Sequence, residues 1–441
     1  MDQQLNIPRR ILTGLISSLS AGVVPRVGAP YIAIGRNREI EALAGDLDEI
    51  ADGGSKTRFL IGKYGSGKSF LIQLVRGYAL DRGFVCADCD LSPERKLCGA
   101  SGTGAATYRE LMKNLSTKTS PDGGGLETLV ARWLDRCRAE IAGQGLAPDS
   151  AEFDAALTSR VYGIASLMEG QVGGFDFSRV LFTYYKASKE EDLFKRSACL
   201  RWLRGEYTTK TEARRDLGVG SVIGDDNWFD YIKLFALFVR QVGFKGLVCF
   251  FDECVNLYKT VNRISRENNY EKLLSMYNDS LQGRAPCLGL VFGGTPAFLE
   301  DTRRGLYSYE ALKSRLYDGR IASAGGLTNL MGPIIRLKRM SDNELLALCG
   351  RIAILHEKLH GVPSRLTPGE TAQFLKICLD RPGAENLITP REIIREYITV
   401  LDVMLQNPQA TFAQVSGNIS PTPDVEKANA ENGPIISDFD V

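Results

Sequence analysis

Residues 62–69 read Gly62-Lys63-Tyr64-Gly65-Ser66-Gly67-Lys68-Ser69. This is a complete Gly-x4-Gly-Lys-Ser phosphate loop. It lies between the apolar segment TRFLIG (57–62), read as a buried strand, and FLIQLVRGYALDRG, read as a helix. Glycines at this spacing let backbone N–H groups wrap phosphate oxygens, and the helix N-terminus adds partial positive charge. Lys68 supplies a point charge to the β/γ oxygens, and Ser69 supplies an oxygen ligand for Mg²⁺. The competing reading is a chance match in a chain with 45 glycines. The strand and helix on either side argue against it.

A second signal agrees independently. The apolar run GLVCFFDE (246–253) delivers Asp252-Glu253 at the C-terminal end of a strand. In a parallel α/β sheet that edge carries the ligand site. An Asp there holds the Mg²⁺ shell, and the next Glu orients and deprotonates an attacking water. Alone, Asp-Glu after a strand is usually a solvated turn; beside a phosphate loop it points to ATP hydrolysis.

The elements that must position these groups follow from the apolar pattern. Strands are expected at 57–62, 84–90, 246–253, 287–294 and, more weakly, 333–339. After Gly35-Arg36-Asn37-Arg38-Glu39 a helix is expected to about Asp52. Residues 107–243 read mostly as helices, with Gly-rich breaks at 122–125, 143–145 and 170–174. Ser341/Glu344, Thr367/Glu370 and Thr389/Glu392 each match the capping box, with Pro368 and Pro390 at first helical positions. They predict three helices over 341–404. From about 407 the chain turns polar, and 421–441 carry five acids and one Lys, the composition of a flexible acidic tail.

Composition bounds the rest. The 441 residues carry 54 Lys+Arg against 53 Asp+Glu, a net charge of +1, so a strongly basic nucleic-acid footprint over the whole chain is excluded. With 44% hydrophobic residues the chain can bury a sizeable core. The ten cysteines sit mainly in apolar runs and read as buried hydrophobes in a reducing cytoplasm. No run approaches the roughly 18 apolar residues of a membrane helix. Arg9-Arg10 before an apolar stretch imitate a signal sequence, but Thr13, Ser17, Ser18 and Ser20 break the stretch. Ile7, Ile11, Leu12, Leu15, Ile16 and Leu19 fall at helical spacing, which favours an amphipathic docking helix.

The phosphate loop, the Asp-Glu strand, a strand ending in Gly293-Gly294-Thr295 and the three capped helices together resemble an AAA+ P-loop ATPase. IAIGRNREIEAL (32–43) is similar to the N-terminal box of the initiator (origin-recognition) clade. GEYTTKTEARRDLGV (205–219), NNYEKLLSMYNDSLQGRA (268–285) and RRGLYSYEALKSRL (303–316) resemble the ATP-binding proteins of bacterial BREX-type phage-defence loci, over about residues 5–405.

The resemblance implies an α/β nucleotide core, a parallel sheet flanked by helices, with a large helical insertion and a C-terminal helical lid. The corresponding boundaries are 1–106 and 244–340 for the two halves of the core, 107–243 for the insertion, 341–406 for the lid and 407–441 for the tail. The 182 residues between Ser69 and Asp252 are what call for an insertion. The resemblance further implies that Gly35, Arg36 and Phe70, with the loop, hold the nucleotide. Thr295 matches the sensor 1 position, which holds the attacking water. Arg315 matches the arginine finger, which reaches a neighbouring subunit, with Arg303 and Arg304 as competitors. Arg391 matches sensor 2. A homo-oligomer, DNA bound directly or through partner defence proteins, and ATP with Mg²⁺ follow as expectations. A motor and a slow-hydrolysing assembly switch both remain open.

The best nucleic-acid candidate is 195–215, where Lys195, Arg196, Arg201, Arg204, Lys210, Arg214 and Arg215 outnumber two Glu, with Trp202 and Tyr207 interleaved. The alternative is a solvated helical face with Trp202 in the core. Finally, His356-Glu357-Lys358-Leu359-His360 matches H-E-x-x-H and contains the only two histidines, so a third metal ligand must be a carboxylate or Cys. Its position on the first C-terminal helix, with a solvated outer face, argues against a zinc peptidase. Cys86-Ala87-Asp88-Cys89 lacks the second pair that a four-cysteine zinc site requires.

Overall fold

The structure, a computed structural model, describes residues 6–99, 102–148, 150–317, 329–381 and 388–419. Among the described residues five strands form one sheet: β1 (Ser55–Gly62), β2 (Val85–Asp90), β3 (Leu247–Asp252), β4 (Leu288–Gly294) and β5 (Ile334–Leu337). Their order is β2-β3-β4-β1-β5 and every pair is parallel. The strands are buried on both faces, as helix-covered parallel strands must be, and this is why they read as unbroken apolar runs. Compared with the sequence reading, β1 begins two residues earlier and β5 is shorter.

Side chains alternate between two cores. On one face Phe251, Phe292 and Phe59 stack across β3, β4 and β1, with ring centroids 4.8 and 5.3 Å apart. On the other face Leu60, Val248 and Phe250 meet α2 (Asn37–Ala51) and α3 (Lys68–Asp81) through Leu47, Ile50, Leu71 and Val75.

Seven described helices separate β2 from β3: α4 (Thr103–Lys113), α5 (Leu126–Ala142), α6 (Ala151–Glu169), α7 (Gly174–Lys189), α8 (Leu193–Leu203), α9 (Lys210–Leu217) and α10 (Trp228–Val242). They do not form a separate lobe. Trp228 of α10 lies against Phe251 of the sheet, and Phe235 and Phe238 of the same helix meet Phe177 and Trp133 edge-on. One hydrophobic core therefore runs from the sheet out through α5 to α9. After β3 come α11 (Val255–Tyr258) and α12 (Arg263–Leu281). After β4 come α13 (Pro296–Glu300) and α14 (Glu310–Leu316).

The last described helices are α15 (Asp342–His360), α16 (Pro368–Leu379), α17 (Pro390–Gln406) and α18 (Phe412–Ser416). The first three open at the capping boxes seen in the sequence. At Thr389, for example, the Glu392 carboxylate accepts from the Thr389 amide at 2.8 Å. A fourth box, Thr411/Gln414, opens α18. The flexible stretch expected from 407 is corrected accordingly. Phe412 and Ile419 are buried in the C-terminal core, so the chain is packed through 419, while the acidic stretch 421–441 lies outside the described residues. The N-terminal amphipathic helix α1 (Arg9–Ser20) docks within its own chain. Leu12, Leu15, Ile16 and Leu19 join the same core as α15 and α17. Burial at about 1.5–3 kcal/mol per side chain makes that attachment firm.

The ten cysteines are free, and nine are buried. No described helix is long and apolar enough to cross a membrane.

Candidate nucleotide site at the edge of the sheet

β1 ends at Gly62 and α3 begins at Lys68, so the loop between them turns inside five residues. Gly65 has φ +73°, and a Cβ there would lie 2.6 Å from Thr389 Cγ2, so the loop and the start of α17 approach too closely for any side chain. The Ser66 hydroxyl is buried without a hydrogen-bond partner among the described residues. A buried orphan oxygen in a glycine-rich loop at a helix start fits an anion that supplies the missing partner. Lys68 Nζ donates to the Gly62 and Lys63 carbonyls at 3.0 and 3.3 Å, so the ammonium is folded over the loop.

Ser69 Oγ donates to Asp252 Oδ2 at 2.6 Å across 183 residues. Two hard oxygen donors, one of them a carboxylate, suit Mg²⁺. Desolvation by burial pushes the Asp252 carboxyl up from its ordinary range, and the charge of Glu253 adds to that; Ser69, the Glu253 amide and Lys68 oppose it. Gly293 of β4 leaves room for this carboxylate, since a Cβ there would sit 2.5 Å from Asp252 Oδ1.

Glu253 has φ +56°, a left-handed conformation that costs a non-glycine residue about 1–2 kcal/mol. Its amide donates to Asp252 Oδ1 at 2.8 Å, which helps hold it there. Strain of this kind in a glutamate at a strand end concentrates at functional sites. Thr295 follows directly after β4. β4 pairs with β1 so that Gly294 lies opposite Ile61, which puts Thr295 level with Gly62. Thr295 is buried, and its hydroxyl accepts from the Phe298 amide at 3.2 Å as the N-cap of α13. That leaves its O–H able to donate.

The loop opens onto a cavity walled by Tyr64–Phe70 on one side and by Thr389, the N-cap of α17, with Arg391 and Ile394 of that helix on the other. Ile32, Ile34 and Arg36 close it from the N-terminal side, an apolar wall with a single cation. Arg36 fastens these pieces together. Its guanidinium donates to the Ser66 carbonyl at 2.9 Å and to the Lys338 carbonyl, and pairs with Glu39 at 3.4 Å. Gly35 sits against the Glu344 carboxylate of α15. Arg391 lines the cavity, with its aliphatic stem against Gly22.

Arg315 lies elsewhere. It is exposed on α14, donating to Asn278 Oδ1 at 3.1 Å and to the Ala311 carbonyl at 2.7 Å, and it does not line the cavity. Arg304, its competitor, is half-buried and donates at 3.4 Å to the Thr260 carbonyl, while Arg303 is exposed.

Sequence reasoning missed several contributors. Thr389 against Gly65 and Arg339 Nη2 on the Tyr64 carbonyl at 3.5 Å are long-range contacts with no local pattern. The capping box did place Thr389 at a helix start, but not that helix against the loop.

The basic segment is arranged differently. Trp202 and Tyr207 are 1% and 3% exposed, so they are core residues and cannot serve as stacking platforms for bases. Trp202 Nε1 donates to the Ser221 carbonyl at 2.9 Å, and Tyr207 lies under the Arg201 guanidinium. Arg201, Arg204 and Arg215 pair with Glu212, Glu206 and Asp216 at 3.2, 2.8 and 2.8 Å. Lys195 donates to the Asp216 carbonyl at 2.7 Å and Arg196 to the Tyr184 hydroxyl at 3.4 Å. Lys210 and Arg214 are exposed, with no side-chain partner among the described residues.

The family model described as BREX system ATP-binding protein BrxC/D matches residues 7–419. No curated protein matches the chain.

Proposed function

The chain belongs to the BREX system ATP-binding protein family BrxC/D, and from that premise we propose that it is an AAA+ ATPase. In this reading it binds ATP with Mg²⁺, hydrolyses it to ADP and phosphate, and couples nucleotide state to self-assembly and to DNA or a DNA-bound complex in phage defence. The observation that carries the reading is the 2.6 Å bond from Ser69 to Asp252, which brings the phosphate loop and the acidic strand end to one point. Glu253 is the next residue.

Lys68 exchanges its loop carbonyls for β- and γ-phosphate oxygens, and the loop amides hold the same oxygens. Ser69 and Asp252 hold Mg²⁺, which when bound neutralises charge on the β- and γ-oxygens. Glu253 takes the proton of the attacking water, and the Thr295 hydroxyl orients that water. The apolar wall at Ile32 and Ile34 takes the adenine face, with Arg36 tying that wall to the loop. Arg391 reaches the γ-phosphate from α17 and so reports nucleotide state to the C-terminal helices.

The exposure of Arg315 on α14 suits a role in a second subunit's site. An isolated subunit would then hold Lys68 and Arg391 but not the trans arginine, which is compatible both with a motor and with a slow-hydrolysing assembly switch. Lys68→Ala is expected to lose tight ATP binding in a fluorescent-nucleotide titration while the protein stays folded by circular dichroism. Unchanged affinity in a folded variant would remove the phosphate-loop reading.

A further inference from the structure

The C-terminal helices hold a cluster that nucleotide chemistry does not use. His356 and His360 lie one turn apart on α15, and Asp402 comes from α17. His356 Nε2 and Asp402 Oδ1 are 2.9 Å apart, and the two imidazole rings are 4.4 Å apart. One donor atom from each of the three lies within 4.8 Å of the others. His356 is buried, contrary to the solvated face expected for this motif, whereas His360 is exposed and Asp402 half-buried. The cluster is thus anchored inside and open to solvent on one side.

We propose that His356, His360 and Asp402 form a binding site for one divalent transition-metal ion of the zinc class, which clamps α15 to α17. Two imidazoles and one carboxylate are a borderline donor set that favours Zn²⁺ and its transition-metal neighbours over Mg²⁺ or Ca²⁺. The ion takes the place of the proton shared by His356 and Asp402. Donors about 2.0–2.1 Å from a tetrahedral ion are about 3.3–3.4 Å from one another, so the 2.9 Å pair opens slightly and the exposed His360 ring closes. Water completes the fourth position.

The site is structural, not that of a peptidase. Glu357, which would be the base in H-E-x-x-H chemistry, is engaged elsewhere: its Oε1 accepts from the Ser364 amide at 2.8 Å, just beyond the end of α15. α17 carries Arg391 at its first turn and Asp402 near its end, about 16 Å along the helix at ~1.5 Å per residue. The ion therefore fixes the end of α17 remote from the nucleotide cavity.

The test is a titration of the full-length, chelator-stripped protein with Zn²⁺, read by calorimetry and by thermal unfolding. One ion per chain is expected, with a raised unfolding midpoint. His360→Ala and Asp402→Ala are each expected to lose at least about tenfold in affinity together with the thermal shift. Glu357→Gln is expected to bind as the parent does. Because His360 is exposed, its variant folds, and its far-ultraviolet circular dichroism checks this. Co²⁺ in place of Zn²⁺ is expected to give visible d–d bands without a thiolate charge-transfer band. Absence of stoichiometric binding overturns the proposal, as does equal affinity in His360→Ala. A thiolate band would move the ion to cysteine and overturn it too.

Discussion

Ser69 and Asp252 are 183 residues apart in sequence and 2.6 Å apart in space. The seven cations between Lys195 and Arg215 are neighbours in sequence, yet five of them already hold partners within the chain. The first region gathers remote residues because each sits at the C-terminal end of a parallel strand or at the helix start that follows one. The second begins with a dense local charge and spends much of it on Glu206, Glu212 and Asp216. Position on a scaffold is what brings the candidate residues together at the sheet edge. On α8 and in the turn that follows it, the interleaved rings Trp202 and Tyr207 are core residues, the second of the two readings that composition left open.

The strongest way to sharpen this contrast is Arg315→Ala. If the exposed cation acts on a neighbour, phosphate release in the assembled protein is expected to fall about 10³-fold or more while ATP affinity is kept. Undiminished turnover in the variant would confine the chemistry to a single chain.

Trp202→Ala probes the other region. Loss of a ring 1% exposed and edge-on to Tyr231 at 5.3 Å is expected to cost about 3–5 kcal/mol in urea unfolding. A variant of parental stability that had lost only DNA affinity would restore Trp202 as a stacking residue. The smallest effect is expected from Lys210→Glu combined with Arg214→Glu. If these two exposed cations meet phosphate, the salt slope of DNA binding should fall by about 2. An unchanged slope would return the whole segment to a solvated face.

The same contrast separates what the amino-acid sequence makes legible from what it does not. The five strands and the phosphate loop could be read because a buried parallel strand is apolar on both faces and a phosphate loop needs glycines at fixed spacing. The three capping boxes could be read because their partners are three residues apart. What could not be read was each long-range pairing: Thr389 against Gly65, Arg339 on Tyr64, α1 against α15 and α17, and Asp402 beside His356. Nor does sequence show backbone strain. Asp-Glu after a strand marked Glu253 as the base candidate, but not its left-handed conformation. Residues 407–419 read as tail because they are polar on average, while Phe412 and Ile419, the few residues that matter, are buried.

The most direct measurement is single-turnover ATP hydrolysis by the parent and by Glu253→Gln at saturating nucleotide. The variant is expected to bind ATP with near-parental affinity and to release phosphate about 10²–10⁴-fold more slowly, leaving ATP trapped on the protein. Phosphate release at the parental rate from Glu253→Gln would contradict the assignment of the hydrolytic site to this edge of the sheet.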